Sequence, residues 1–86
     1  GKRLSISFSW PGASQRVIEQ EITSKVEGLV ASVVGVEKTS SVSSQGNGSV
    51  TVVLKEKANV SAVRFEISSL LKQIPEKLPE DAGGIY

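Results

Sequence analysis

Side chains that commonly carry chemistry are scarce in this sequence. It contains no cysteine and no histidine, which excludes disulfides, Cys/His zinc sites and thiol or imidazole nucleophiles. Carboxylates are the remaining candidates for acid–base chemistry, and they alternate with Lys and Arg on predicted polar faces. Those that the pattern places on polar faces are Glu19, Glu21, Glu27, Glu56, Glu66, Glu76, Glu80 and Asp81. A solvated surface explains this spacing best, so we predict no enzyme, no catalytic or metal-binding residue and no cofactor.

A glycine-rich segment, Gly46-Asn47-Gly48, raises the question of a phosphate-binding loop. Such a loop needs a helix N-terminus directly behind it, whose dipole and free N–H groups hold the anion. This segment lies between two predicted strands instead. The sequence from Gln45 to Gly48 therefore predicts a tight hairpin turn.

Length and charge limit the remaining function classes. At 86 residues the chain holds one domain, near the lower size for a core without disulfides or metals. Ten basic against nine acidic residues leave a net charge of +1, far from the positive field that binds phosphate backbones, so we expect no nucleic-acid partner. The longest apolar runs, Val52–Leu54 and Leu29–Val34 with Ser32 inside it, are far shorter than the roughly 20 residues of a membrane helix. Gly1 in place of Met predicts an excerpt of a longer protein, with residues 1–2 as a linker.

The first half of the chain predicts a strand and a helix. Apolar residues alternate with serine over Leu4–Trp10, the two-residue period of a strand with one buried face. After a Pro-Gly break, Ser14 is placed to cap a helix that begins near Gln15 and ends at Gly35. The apolar stripe of this helix consists of Ile18, Ile22, Val26, Leu29 and Val33. Gly28 costs the helix about 1 kcal/mol relative to Ala, and we expect close packing on the sheet to explain it.

The second half predicts a β-hairpin and another helix. Val36–Ser44 and Ser49–Lys55 are rich in β-branched residues and flank the predicted turn. Asn59 is a suitable N-cap for the second helix, and Pro75 ends it. The apolar stripe of this helix consists of Val60, Val63, Ile67, Leu70, Leu71 and Ile74. We expect an irregular tail over residues 75–86.

The order strand, helix, strand, strand, helix predicts an α+β fold. It is the ferredoxin-like split βαβ pattern with its final strand missing, in a single domain over residues 1–86. Right-handed crossovers place both helices on one face of an antiparallel sheet. A fourth strand would lie beside the first, so its absence predicts an unpaired edge on Leu4–Trp10.

Two features of this pattern leave alternatives open. The serine-rich strand Thr39–Ser44 has a face that is either solvated or lines something polar. On a helical wheel, Phe65 falls almost opposite the apolar stripe of the second helix, among Ser61, Ser69 and Lys72. Phe65 is either a stray surface aromatic or a contact with another copy or another domain.

Several segments resemble the porter region of resistance-nodulation-division (RND) efflux transporters. Trp10-Pro11-Gly12-Ala13 is similar to the aromatic-Pro-Gly-Ala opening of that region. Further matching segments follow in the family's order along nearly the whole chain. They are Val17–Glu27, Gly35-Val36, Thr39–Ser44, Gly48–Leu54 and Leu78-Pro79. Lys25 stands where many members have proline, and Trp10 replaces the commoner Tyr or Phe, which leaves the subfamily open.

The resemblance implies the first porter subdomain, in the periplasmic portion of a bacterial inner-membrane protein. Family pumps are proton-driven homotrimers, and the corresponding second helix lines their central pore. The pore helix and trimer contacts would here be Asn59, Ser61, Phe65, Ser69 and Lys72. Ser40 and Ser41 would belong to the wall of the substrate path. The implied partners are other subdomains of the transporter, exported small molecules, a periplasmic adaptor and an outer-membrane channel.

The exported substrate stays open between drugs, lipids and metal ions. The absence of Met, His and Cys argues mildly against metal handling within this segment. A second hypothesis is a stand-alone ferredoxin-like regulatory module that binds a small molecule and dimerises by strand edges. Such a module should show a melting temperature that rises with the concentration of some metabolite.

Overall fold

The computed structural model describes residues 2–73 and the backbone of residues 83–85. Its elements follow the order that the sequence predicts, with one further strand at the end. They are β1 (Arg3–Ser9), α1 (Gln15–Ile18), a π-helical segment (Glu19–Thr23), α2 (Ser24–Ala31), β2 (Val36–Ser44), β3 (Asn47–Leu54), α3 (Val60–Leu71) and β4 (Gly83–Ile85).

The strands form one sheet in the order β2-β3-β1-β4, with every neighbouring pair antiparallel. Alternate residues of β1 and β3 face the helices and share one core cluster with them. The buried members are Leu4, Ile6, Phe8, Ala13, Ile18, Ile22, Val26, Val30, Val33, Val50, Val52, Leu54, Val63 and Ile67. The helices therefore cover one face of the sheet, and the predicted α+β ferredoxin-like class is confirmed.

The prediction that the final strand is missing was wrong. Residues Gly83–Ile85 form β4, which pairs with the middle of β1 through Ile6↔Ile85 and Phe8↔Gly83. The segment is too short and too rich in glycine to show an alternating pattern in the sequence. What holds it is the row of unpaired backbone groups along the edge of β1. The predicted end of the second helix at Pro75, and residues 75–82 and 86 of the expected tail, lie outside the described residues.

The first predicted helix is one continuous rod with a π-helical segment in its middle. Ser14 Oγ accepts a hydrogen bond from Val17 N (3.2 Å), and Gly35 follows the rod with φ +98°. Within the π-helical segment the widened turn is marked by Ser24 N–H, which donates to Glu19 O five residues back.

The spacing of the buried residues along the rod explains the π-helical segment. The buried residues Ile18, Ile22, Val26 and Val30 recur at steps of four, and each such step overshoots a 3.6-residue turn by about 40°. One wider turn cancels part of this drift and keeps the four side chains on the core. For the same reason Val30 is buried, whereas Leu29, which the predicted stripe included, is only half-buried.

Two smaller expectations also need correction. Gly28 is exposed, and a Cβ placed there would meet nothing within 4 Å, so close packing does not explain this glycine. Lys2 is not a free linker residue, because its carbonyl accepts from Leu54 N (2.9 Å) and its Nζ donates to Ala58 O (2.9 Å).

Candidate functional sites on the second helix and the hairpin

Helix α3 buries one side and leaves the other open. Val63 and Ile67 are buried in the core, and Val60, Leu70 and Leu71 pack against it. On the opposite side the ring of Phe65 is 72% exposed, as the helical wheel indicates. A large apolar ring that contacts none of its own core is available to another surface.

The other residues predicted for this helix lie along the same exposed side. Ser61, Ser69 and Lys72 are exposed, and Lys72 forms the C-terminal end of the helix. Asn59 already has a local role, since its Oδ1 accepts from Ala62 N (3.0 Å) and so caps the helix. The small side chains beside Phe65 would let another helix approach closely.

A groove that the sequence did not reveal adjoins the start of α3. It has a volume of about 440 Å³ and lies between the end of the first helical rod and α3. Val33, Ala58 and Ala62 line it, with Lys57 and Glu66 among the polar members. Val34, at its rim, is 93% exposed. The apolar surface of this end of the domain therefore extends beyond Phe65.

A second polar site joins the first helical rod to the edge strand β2. Glu27 accepts one hydrogen bond on each carboxylate oxygen, from Thr39 Oγ1 and from Ser41 Oγ, both 3.1 Å. The Oγ of Ser43 lies 2.7 Å from Glu19 Oε1 and 2.8 Å from Thr23 Oγ1. A hydroxyl carries one proton and a carboxylate only accepts, so with Ser43 donating to Glu19, Thr23 donates to Ser43.

Of the two alternatives for the strand Thr39–Ser44, this site supports the second, because the helix-facing side is not simply solvated but lines a polar contact. The prediction that the carboxylates form a solvated surface fits Glu21, whose exposed partner Lys25 lies 3.9 Å away. It also fits Glu19, which is exposed although it accepts from Ser43, but it does not fit Glu27, which is half-buried and bonded to two hydroxyl groups. The sequence did carry a signal, because Glu19, Thr23 and Glu27 recur at steps of four beside the buried stripe, opposite hydroxyl residues that alternate along a strand.

The structure separates Ser40 from Ser41, the two residues predicted for a substrate-path wall. Ser41 faces the helices and is bonded to Glu27, whereas Ser40 is exposed. Neighbouring residues of a strand point to opposite faces of the sheet. Ser40 shares its face with Val42, which is 66% exposed, so only Ser40 of the pair can belong to that open surface.

Neither site brings together a ligand set for a metal ion. Across residues 2–73 and 83–85, no group of three or more His, Cys, Asp or Glu residues is placed to hold one. Over the same ranges, no helix has the length and apolar character needed to cross a membrane.

Fold and open helix face together define a class of protein: an α+β unit of ferredoxin-like topology whose second helix packs on the core by one side and leaves the other side exposed. A family model described as the AcrB/AcrD/AcrF family matches residues 2–85. The chain belongs to this family, and the resemblance to RND efflux transporters is confirmed.

Relatives and a solved structure agree with this membership. The chain is 36% identical over 80 residues to the nickel and cobalt resistance protein CnrA of Cupriavidus metallidurans. It is 31% identical over 78 residues to the cobalt-zinc-cadmium resistance protein CzcA of the same species. The matches cover 93% and 91% of the chain. The fold is similar to that of a heavy metal efflux pump solved by crystallography, with a TM-score of 0.85 and 20% identity over 98% of the chain.

The chain spans about 7% of the length of these two relatives and 9% of the chain of the solved pump. The likeness to the solved pump at this identity shows the fold alone.

Proposed function

We propose that this chain is a periplasmic porter subdomain of a proton-driven RND pump that exports heavy-metal cations. Membership of the AcrB/AcrD/AcrF family supports the transport role. The names of the relatives, which are nickel, cobalt, zinc and cadmium resistance proteins, favour cations over drugs or lipids. The alternative of a stand-alone regulatory module has no comparable support.

Within such a pump this unit acts by packing and not by holding the metal. Nickel, cobalt, zinc and cadmium prefer imidazole or thiolate ligands in proteins, and the sequence has no His, Cys or Met. Ligands for the cation would come from other parts of the longer protein. The chain would supply a rigid sheet and a helix with two usable faces.

The observation that carries the proposal is the exposed ring of Phe65 on α3. A threefold assembly brings three copies of one helix around an axis, and each copy must offer a face that its own core does not use. Helix α3 has such a face, with an aromatic ring among small polar residues. We propose that Asn59, Ser61, Phe65, Ser69 and Lys72 lie along a central pore, where Phe65 contacts neighbouring subunits.

A surface on the open face of the sheet is proposed for the substrate path. Ser40 belongs to this face, and the neighbouring strands place Ser5, Ser49 and Thr51 on it as well. Small hydroxyl side chains leave room and accept or donate hydrogen bonds without holding a cation tightly. Such a wall suits a path along which a hydrated ion moves.

Substitution of Phe65 in the full-length pump tests the proposed trimer contact. Because Phe65 leaves the domain's own core untouched, Phe65→Ala should change the domain's free energy of unfolding by less than about 0.5 kcal/mol. Loss of a central aromatic contact should weaken the trimer by about 2 kcal/mol per contact. Dissociation of the detergent-solubilised pump on dilution, followed by native mass spectrometry, measures this.

Val42→Ala is the matched control, since Val42 is also an exposed apolar residue but lies on the sheet. It should leave the trimer intact. A Phe65→Ala pump that dissociates no more readily than the Val42→Ala pump would contradict the assignment of α3 to the trimer axis.

A further inference from the structure

The inward face of β2 is polar, unlike those of the strands beside it. β1 turns Leu4, Ile6 and Phe8 toward the helices, and β3 turns Val50, Val52 and Leu54. At the matching positions β2 has the hydroxyl residues that bond to the first helical rod, Thr39, Ser41 and Ser43. Burial of apolar side chains normally fixes which face of a strand is turned toward the core. It therefore does little to fix the facing of β2.

Apolar burial alone would favour a different register. A slip of β2 by one residue would turn its other face inward. That face carries Val42, which is now 66% exposed and would then be covered. Apolar contact therefore does not hold the observed register by itself. The hairpin turn, whose Gly46 is hydrogen-bonded to Trp10 and Ala13, and the polar contacts of β2 are left to hold it.

Local irregularities lie on both sides of the polar contact. Val36 pairs with Leu54 and Lys38 with Val53, so β2 contains one extra residue, Glu37, just before the hydroxyl residues. Uninterrupted pairing would have placed Ser40 and Val42 inward instead. On the helical side, the widened turn of Glu19–Thr23 aligns Glu19, Thr23 and Glu27 with the strand.

We propose that Glu19, Thr23 and Glu27 form a hydrogen-bonding clasp that fixes the register and facing of the edge strand β2. Glu27 spans two inward hydroxyls, and the other two residues hold the third. In the slipped register Val42 would stand where Ser43 now lies, and it would offer no hydroxyl to Glu19 or Thr23. The clasp thus selects the register in which Ser40 and Val42 face outward. This inference rests on the fold and does not depend on the proposed transport function.

The test is an NMR comparison of this 86-residue chain with a Glu19→Ala/Glu27→Ala variant. Cross-strand NOEs report the register of β2 against β3, and amide exchange reports how firmly β2 is held. We expect the variant to show a second set of β2–β3 NOEs. Its amides over Thr39–Ser44 should exchange about tenfold faster, whereas the amides of β1 and those β3 amides that donate to β1 keep their protection.

Glu21→Ala is the matched control, because Glu21 belongs to the same helical rod and forms an exposed ion pair with Lys25 of that rod. It should leave the exchange of β2 unchanged. An unchanged register and protection of β2 in the double variant would overturn the proposal. So would equal acceleration in all strands, since the carboxylates would then stabilise the whole domain and not β2 in particular.

Further variants keep the test decisive if the double variant does not fold. Glu27→Gln retains the shape and one acceptor oxygen, and it should accelerate exchange in β2 more than in β1. Glu27→Leu/Thr39→Val/Ser41→Val replaces the polar contact by an apolar one that also specifies the inward face, so it should restore the native NOE pattern. Equal acceleration in the first variant, or a slipped register in the second, would each contradict the clasp.

Discussion

At the scale of single residues, Gly48 shows how closely the sheet and the first helical rod approach each other. Gly48 pairs with Phe8 across β1 and β3. A Cβ at this position would lie 2.5 Å from Cε2 of Phe8, 3.0 Å from Oγ1 of Thr23 and 3.1 Å from Cγ2 of Ile18. The ring of Phe8, from the neighbouring strand, therefore occupies the space that a side chain at position 48 would need. This contact also fixes the register of β1 against β3.

Gly48→Ala should lower the free energy of unfolding by about 2 kcal/mol, because the extra methyl group overpacks a rigid part of the core. Urea denaturation followed by circular dichroism measures the change. The control is Gly28→Ala, which adds a methyl group in open space within a helix and should raise stability by about 0.5–1 kcal/mol. If Gly48→Ala and Gly28→Ala lowered the free energy of unfolding equally, the close approach of neighbouring atoms at Gly48 would not explain its effect.

At the scale of elements, each helix depends on a cap at its beginning. Ser14 caps α1 and Asn59 caps α3, each through a side-chain oxygen that accepts a first-turn N–H. Both caps could be predicted from the sequence, because the residue types that satisfy free N–H groups are few. The cap at Asn59 also determines where α3 begins and, with it, the direction in which Phe65 points.

Asn59→Ala should destabilise the chain by about 1 kcal/mol through loss of the bond to Ala62 N. Asn59→Asp keeps an acceptor oxygen at the helix N-terminus and should retain most of the stability. Ser61→Ala, at an exposed position in the first turn, is the neutral control. Thermal unfolding of the four chains gives the comparison, and an Asn59→Ala chain as stable as the Ser61→Ala chain would show that the cap contributes nothing.

At the scale of the whole molecule, the two edges of the sheet are where another chain could pair with its backbone. The outer edge of β2 and the outer edge of β1 would both be open without β4. β4 covers the middle of β1 with only 3 residues. Short added strands of this kind protect the backbone groups of an edge from pairing with another chain.

Removal of residues 83–86 should therefore promote self-association of the chain through β1. Sedimentation velocity at increasing protein concentration should show dimers in the truncated chain and none in the intact one. Ser7→Lys in the truncated chain places a charge on the exposed edge and should restore the monomer. Dimers that persist in that variant would place the association surface elsewhere.

Local sequence patterns were enough to predict the order of the elements before β4, the helix caps and the outward position of Phe65. These follow from local periodicity and from capping chemistry, each of which depends on residues a few positions apart. Packing of the complete chain decides that β4 pairs with β1, that a π-helical segment aligns Glu19 with Glu27, and that Ser41 bonds inward while Ser40 does not. Each of these depends on groups from distant segments that meet only when the sheet and the helices pack together, and alternation alone could not tell which polar face of β2 is the inner one.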